Sequence, residues 1–489
     1  MTDPLHTSLH RTAKYFMDSG RVQTIEEAMD LLNSFGLTIA VGPEVQTSPA
    51  AQIALLTLVN LARRTFLAGV EIVGLTDAPV LTRLALEASL VDAVTNLGGR
   101  IASHAQPDWP VAIIGSVQMQ TPQACAWRVT WQGWRAGVVP VRDGWAMNDD
   151  AVMSLAPALA AAICAAEVFT LHAADHPLAG KRASGLSLWR PESDWTEVDE
   201  TEPVLAFLPS RLWLIGLGNL GQAYSWLLAC LPYPVSGLEL VLQDFDRLAL
   251  SNDSTSVLTS LDVLGRKKTR WAAEWLEARG FTTNVEERRF GAWTRRQTDE
   301  PAVALCGVDN AIARAALEDA GFELVIEAGL GAGPQSFRSF AMHTFPGPSR
   351  ASDLWPTTLS SEGPDVSHMP AYIDLKEKGV DACGLAQLAS RTVGVPFVGL
   401  VAASLAISEL VRRLNGGVAY EVIAGSVTCF DDIEACGGTS KVYEFGFSPV
   451  LEVNAASHTD EDSSFANESA RSGPGLSPIS PEVDVSSLS

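Results

Sequence analysis

The hydrophobic pattern along this chain switches repeatedly between two periods. Apolar runs of strand length, Leu37-Thr-Ile-Ala-Val-Gly42, Val70-Glu-Ile-Val-Gly74 and Val111-Ala-Ile-Ile-Gly115, alternate with stretches whose apolar positions recur at helical spacing, Ala50 to Ala62 and Val80 to Leu97. Residues 1–36 also read as helical, with Ile25 to Leu32 carrying the periodicity behind a candidate cap at Thr24. Two aromatic-rich strands, Trp127 to Trp131 and Trp134 to Val139, precede an Ala-rich helix from Ala151 to Leu171. Such alternation predicts an α/β fold, a mostly parallel sheet with helices on its faces.

Residues 184–204 change character, with Pro, Ser and a run of acids, and read as a linker. From Leu212 the pattern restarts: a strand, a helix to Leu228, a strand at Leu238–Gln243, a helix at Lys267–Arg279, strands at Ala302–Leu305 and Leu324–Glu327 with the helix Ala311–Ala320 between them, and a late helix at Val398–Leu414. The first strands of the two runs, Leu37 and Leu212, are offset by 175 residues. By the closing helices the offset has grown, so the second copy carries about 60 extra residues, mostly between Gln335 and Thr392. The expected organisation is a first domain over 1–183, the linker, a second domain over 205–450 with an inserted segment at 335–392, and a disordered acidic tail over 451–489, Ser- and Pro-rich and poor in large apolar residues.

The two copies differ where chemistry would sit. In the second, an apolar strand runs into Gly216-Leu-Gly218-Asn-Leu-Gly221, the spacing that gives a tight turn, a bare backbone able to approach phosphate, and a helix N-terminus whose unpaired N–H groups attract anions. The next strand ends at Asp244, about 20 residues beyond the last glycine, where a carboxylate can accept hydrogen bonds from a ribose. The first copy has Gly42-Pro-Glu-Val-Gln-Thr at the equivalent place, with an acid where phosphate would lie. The first site is therefore expected to be degenerate, its domain kept as a docking or dimer-like partner.

Three further groups separate the intact site from a nicotinamide oxidoreductase. Asn252 follows Asp244 and Asp246, Gly265-Arg-Lys-Lys268 opens the next helix, and Asp309-Asn310, with Arg314 one turn on, ends a strand at the carboxyl edge of the sheet. A lysine and an aspartate around a phosphate loop suit Mg-ATP: the lysine neutralises charge and the aspartate holds the metal.

In these motifs the chain resembles the superfamily of ubiquitin-activating enzymes and bacterial sulfur-carrier adenylyltransferases of ThiF/MoeB type. The resemblance rests on Gly216-x-Gly218-x-x-Gly221, Asp244-x-Asp246, Ser251-Asn252, Gly265-x-x-Lys268, Val308-Asp309-Asn310-x-x-x-Arg314 and Val395-Pro-Phe-Val-Gly399, and covers about residues 205–420 closely. It implies two tandem Rossmann-like domains, the first inactive, and adenylation of the C-terminal carboxylate of a ubiquitin-like protein by ATP with Mg2+. Carried over by position, Gly216, Gly218 and Gly221 cradle the phosphates, Asp244 binds ribose, Asn252 and Lys268 meet the phosphates, Asp309 holds magnesium, and Asp246 shapes the nucleotide site. Family members commonly carry an arginine three residues beyond this asparagine; here that position is Thr255. Arg266, Lys267, Arg11 and Arg21 are candidates to supply the lost charge.

The resemblance also implies thioester formation on a cysteine. Cys383, in Gly379-Val-Asp-Ala-Cys383-Gly, falls in the segment unique to the second copy and is the chosen nucleophile. Cys306 ends an apolar strand, and Cys125, Cys164 and Cys230 lie in apolar stretches and read as core. Cys436-Gly-Gly keeps a minority claim, Cys429 has no assigned place, and His343 and His368 fall in the inserted segment. The seven cysteines include no C-x-x-C pair, which speaks for reduced thiols and against a four-thiolate zinc site.

Charge narrows the partners. A formal net charge of −23 repels a nucleic-acid backbone. The longest apolar run, Leu155 to Phe169, contains Glu167 and is shorter than the roughly 18 residues of a membrane span, and no basic-then-apolar leader opens the sequence. The expectation is a cytoplasmic enzyme with no nucleic-acid or membrane partner, acting on a ubiquitin-like protein and passing it to a separate conjugating enzyme, in a bacterial conjugation or antiphage setting by resemblance, as a homodimer or as a pseudo-dimer within one chain. The alternatives are sulfur-carrier activation for cofactor synthesis, a nicotinamide oxidoreductase, and a non-catalytic scaffold.

Overall fold

The computed structural model describes residues 5–117, 125–147, 153–356, 366, 368–438 and 442–450. The expected tail over 451–489 lies outside these residues. Among the described residues, seventeen strands form two large sheets and one small ribbon. In the first half, β1 (Gly36–Val41), β2 (Gly69–Val73), β3 (Arg100–Ala102) and β4 (Val111–Ile114) are parallel to one another and to β5 (Ala126–Gln132), while β6 (Arg135–Pro140) and β7 (Ser184–Ser187) continue antiparallel, in the order β3-β2-β1-β4-β5-β6-β7. The short β8 (Phe207–Pro209) pairs with a late strand. The second half repeats the plan with β9 (Arg211–Ile215), β10 (Glu239–Gln243), β11 (Thr282–Glu286), β12 (Val303–Cys306), β13 (Leu324–Leu330), β14 (Ser339–Phe345) and β15 (Tyr420–Ser426), plus an edge strand β16 (Cys429–Gly437), in the order β11-β10-β9-β12-β13-β14-β15-β16. The partner of β8 is β17 (Phe447–Pro449).

The strand order, and the change from parallel to antiparallel pairing after the fifth strand, are the same in both sheets. In each half a long helix, Leu155–Ala173 or Pro396–Leu414, separates the sixth strand from the seventh. These two helices pack on each other and on the helices Pro49–Thr65 and Asn219–Cys230, so the two sheets share one core. Leu155–Ala173 is long and apolar enough to cross a membrane, but nearly all of it is buried in this core, and an all-round apolar helix in such a position reads as a core element.

Several sequence expectations are corrected. The chain at Val80 to Ser89 is a loop; helix begins only at Leu90, where Ser89 Oγ accepts from the Asp92 N–H. The loop is held by tertiary bonds: Leu81 N–H donates to Gln52 Oε1, Arg83 to the Tyr233 carbonyl, and Arg279 to the Leu84 carbonyl. The expected linker starts as a strand, since Ser184–Ser187 pairs with β6, with Leu186 as its one large apolar residue. Strands β14, β15 and β16 were absent from the sequence reading. In β14 the signal was present as an alternation of buried Phe340, Met342 and Thr344 with less buried neighbours. That strand ends at Phe345, so the extra segment of the second half falls between β14 and Pro396.

Candidate functional site

At the carboxyl edge of the second sheet, β9 ends at Ile215 and the chain turns through Gly216 into the helix Asn219–Cys230. Gly216 has φ of +83°, and a Cβ on Gly221 would lie 2.0 Å from the Gly216 carbonyl oxygen, so the strand–turn–helix junction closes only with glycine at both places. A Cβ on Gly218, by contrast, would meet nothing within 4 Å; this glycine faces open space at the start of the helix.

Asp244 closes the loop from the neighbouring strand. Its Oδ2 accepts from the Leu217 N–H at 2.7 Å and its Oδ1 from the Asp246 N–H at 2.8 Å, which fixes a nearly buried carboxylate at the tip of β10. Lys268 opens the helix Lys268–Glu277, and its Nζ lies 3.0 Å from Asp246 Oδ2 and 3.9 Å from Asp244 Oδ2. Asp244, Asp246 and Lys268 thus form one cluster of hydrogen bonds and ion pairs, which meets the Gly216–Gly221 loop through Leu217.

Asn252 and Asp309 lie on two further segments, the helix Leu250–Asp253 and the loop after β12. The Asn252 side-chain oxygen accepts from the Ala249 N–H at 2.9 Å, so a phosphate would be met by its amide NH2. Asp309 is exposed on the loop after β12, beside the glycine turn: Gly307 N–H donates to the Ile215 carbonyl, and a Cβ on Gly216 would come within 2.9 Å of the Val308 side chain. Asn310 caps the following helix through Ala313 N–H, and Arg314 donates to the Val308 carbonyl while its guanidinium meets the fully buried Glu327 at 3.0 Å. His343 lies in β14, not in the inserted segment, and its Nδ1 pairs with the other Glu327 oxygen at 3.0 Å.

Of the four basic candidates to replace the arginine missing at Thr255, Arg11 lies beside that residue. Arg11 donates its backbone N–H to Ser254 Oγ at 3.1 Å and its guanidinium to the Thr392 carbonyl at 3.1 Å. A Cβ built on Gly394 would lie 2.9 Å from Thr255 Cγ2 and 3.6 Å from Arg11 Cβ, so the arginine stem and the threonine share one small space. Desolvation and, to a smaller extent, the charge of Arg391, opposed by that of Asp309, together bring the Arg11 pKa down to about 10. Of the others, Arg266 pairs with Glu274 and Arg21 with the Ala173 carbonyl, whereas Lys267 donates to the Phe245 carbonyl, between Asp244 and Asp246.

Cys383 stands apart from the nucleotide cluster. It is exposed in the first turn of the helix Ala382–Ala389, which Asp381 caps, with Gln387 Nε2 3.6 Å from its sulfur. The short helix Leu5–Ser8 packs against both this helix and the helix Leu250–Asp253 that carries Asn252. Cys164, Cys230 and Cys306 are buried, as core thiols should be, and burial pushes the Cys306 thiol up to about 12. Cys429 and Cys436 lie on the edge strand β16.

The equivalent place in the first half is filled by the protein itself. Glu44 Oε2 accepts from the Ser116 N–H at 2.9 Å, and a Cβ on either Gly42 or Gly115 would come within 2.3 Å of that oxygen. Burial pushes this carboxyl up, but the Ser116 bonds outweigh it and hold the pKa below the usual range, so an anionic carboxylate occupies the space between the two strand ends.

Among the described residues no group of three or more His, Cys, Asp or Glu side chains is arranged to hold a metal ion alone. A single exposed carboxylate at Asp309 fits Mg2+ of the kind shared with substrate phosphates and water.

The comparisons with known proteins agree with this two-part layout. Residues 36–188 match the BilD N-terminal domain family and residues 208–417 the BilD C-terminal domain family. The bacterial E1-like protein BilD of Collimonas sp. (strain OK412) is 59% identical over 449 residues, 92% of this chain and 97% of that one. Among solved structures, E. coli MccB gives a TM-score of 0.33 at 17% identity over 48% of this chain and 64% of that chain, and MccB with ATP gives 0.31 at 15% identity over 48% and 66%. The chain thus spans about two thirds of the length of the MccB structures it matches.

Proposed function

This chain belongs to the BilD family of bacterial E1-like proteins, and from that premise we propose that it adenylates the C-terminal glycine of a ubiquitin-like protein with ATP at the carboxyl edge of its second sheet. The observation that carries the reading is the cluster of Asp244 and Lys268 at the glycine loop, with Arg11 beside Ser254 and Thr255. In the proposed step a carboxylate oxygen of the ubiquitin-like protein attacks the α-phosphorus of ATP, the bond to the bridging oxygen of the β-phosphate breaks, and pyrophosphate leaves. Lys268, Arg11 and the Asn252 amide stabilise the charge that develops on the phosphate oxygens. Asp309 would hold Mg2+, which supplies further neutralisation of the phosphates. Asp244, already oriented by Leu217, has lone pairs left to receive the ribose hydroxyls.

A second step uses Cys383. Its thiolate attacks the acyl carbon of the adenylate, AMP leaves with the electron pair of the acyl–oxygen bond, and a thioester forms for transfer to a conjugating enzyme. The exposed position of Cys383 and the helix Leu5–Ser8 that connects its helix to the Asn252 helix support this assignment. The first half, with Glu44 between Gly42 and Gly115, acts as the inactive partner of a pseudo-dimer. A cytoplasmic setting and a part in conjugation-based antiphage defence are proposed on the same premise.

The test is intact mass under non-reducing conditions after incubation with Mg-ATP and a genomically neighbouring ubiquitin-like protein. A thiol-sensitive adduct in wild type that disappears in Cys383→Ala supports both steps. Pyrophosphate exchange without an adduct leaves adenylation alone, as in sulfur-carrier activation, and neither signal in wild type overturns the reading in favour of a scaffold.

A further inference from the structure

The segment Asp253–Thr259, which follows Asn252 and contains Thr255, contributes several backbone carbonyls to no strand or long helix; they are received instead by a helix of the other half. On Pro49–Thr65, residues Asn60, Arg63 and Arg64 are spaced to share one face. Arg64 is almost fully buried and uses all five of its N–H donors: Nε to Asn60 Oδ1 at 3.0 Å, Nη1 to the Asp253 carbonyl at 2.6 Å and Asp253 Oδ1 at 3.2 Å, and Nη2 to the carbonyls of Val257 at 3.0 Å and Thr259 at 2.8 Å. Arg63 forks onto the same Asp253 carboxylate and reaches the Thr259 carbonyl at 2.9 Å, and Asn60 Nδ2 donates to the Val257 carbonyl.

This assembly continues into the phosphate loop. Gln222, buried on the helix that begins at Asn219, accepts from the Leu258 N–H at 2.9 Å and Thr259 Oγ1 at 3.1 Å, and its Nε2 donates to the Leu217 carbonyl at 3.3 Å. Leu217 is the residue whose N–H holds Asp244. One chain of hydrogen bonds therefore runs from the first half, through the segment next to Asn252, to the glycine loop.

We infer that Arg64 is a positioning residue for nucleotide binding: the first half retains the helix Pro49–Thr65 to fix, in the second half, the relative placement of the Asn252 segment and the Gly216–Gly221 loop. The inference deepens the adenylation reading and rests on the nucleotide site named there. Only a guanidinium can serve five acceptors from one buried point; a lysine offers three donors from a single atom.

The experiment compares full-length wild type, Arg64→Lys, Asp253→Asn and Thr57→Val. Thr57 accepts from Trp226 Nε1 at 3.0 Å, so its loss weakens the contact between the halves without touching the Asn252 segment. Mg-ATP affinity by calorimetry, thermal midpoint, and hydrogen–deuterium exchange over residues 217–222 and 252–259 are read for each. Arg64→Lys is expected to weaken Mg-ATP binding about tenfold and to raise exchange in both segments, Asp253→Asn to do the same to a smaller extent, and Thr57→Val to lower the midpoint with affinity unchanged. If Arg64→Lys and Thr57→Val lose affinity only in proportion to lost stability, Arg64 is interface packing and the inference is overturned. Should Arg64→Lys not fold, Asp253→Asn decides alone: unchanged affinity and exchange overturn the inference. ATP binding in wild type without pyrophosphate exchange would remove the adenylation step and leave this comparison intact; wild type that does not bind Mg-ATP overturns both.

Discussion

In the proposed step Arg11 supplies the charge that Thr255 lacks. The Thr255 methyl and the Arg11 stem both border Gly394, so a longer side chain at position 255 would crowd Arg11. Arg11→Ala is expected to lower kcat for ATP–pyrophosphate exchange about 100-fold, with Arg11→Lys recovering part of the loss, because a preplaced cation acts on charge that develops in the transition state. Thr255→Arg is expected to rescue nothing, since it brings two guanidiniums into a desolvated space. An Arg11→Ala enzyme with wild-type kcat would show that Arg11 does not act on the phosphates. Nearby, His10 Nε2–H donates to the Arg64 carbonyl at 3.0 Å, and desolvation lowers its pKa from 6.5 to about 4, against opposing contributions from that bond and from Asp253. The unfolded chain therefore takes up a proton between pH 6.5 and 4 that the folded chain does not. Stability is flat above pH 6.5 on account of this group and falls as pH drops through that window, by at most about 1.4 kcal/mol per unit; His10→Asn is expected to flatten that part of the midpoint-against-pH curve.

At this scale the sequence was informative where chemistry is written locally. The glycine spacing, Asp244 and Lys268 were readable because a strand, a turn and a helix N-terminus place them within one βαβ unit. Arg64 and Gln222 were not, since the bond from Arg64 to Asp253 spans 189 residues and an arginine in an amphipathic helix has no local signature of its partner. Glu44 was legible as an acid in the wrong place, though not its bond to Ser116.

Among the elements, the N-terminal segment is the least expected contributor. A helical start was readable, including the Thr24 cap, which accepts from Glu27 N–H, but not that its early residues lie between the Asn252 helix and the Cys383 helix. The anchor is a buried triad: Lys14 Nζ reaches Asp18 at 2.5 Å and the Tyr372 hydroxyl at 2.8 Å, and that hydroxyl donates to Asp18 Oδ1 at 2.7 Å. Desolvation lowers the Lys14 pKa and raises that of Asp18, so each holds its charge only through the other and through Tyr372, which belongs to the helix Pro370–Glu377 of the inserted segment. Tyr372→Phe leaves the ring packing and removes the hydroxyl; the expected cost is about 1–3 kcal/mol, read as a lower thermal midpoint. Limited proteolysis should then cut the inserted segment sooner in the variant than in wild type, and equal cleavage would mean that the triad does not hold that segment. The misread elements share a cause. Helical periodicity at Val80–Ser89 and the linker composition at Ser184–Ser187 are local signals overridden by pairing with distant chain, through Arg279 to the Leu84 carbonyl in one case and through β6 in the other.

For the whole molecule, the repeat was visible as two α/β runs offset by 175 residues, whereas the interface between the repeats was not. The helices Leu155–Ala173 and Pro396–Leu414 are buried almost along their full lengths, and each owes part of that burial to the other half. A helix apolar on all sides has no face to give to water. Separating the chain into residues 1–204 and 205–450 would expose those faces together with Trp226, whose Nε1 bonds to Thr57, and would leave the carbonyls of Val257 and Thr259 without Asn60 and Arg64. Each half expressed alone is therefore expected to aggregate or to show no cooperative melt, and the two co-expressed are expected to elute as one 1:1 complex that regains Mg-ATP binding. Size-exclusion chromatography with calorimetry on the recovered fractions reads both outcomes. A second half that is monomeric alone, melts cooperatively and binds Mg-ATP as the full chain does would show that the degenerate half contributes neither stability nor positioning, and the pseudo-dimer account would fail at the scale on which it is built.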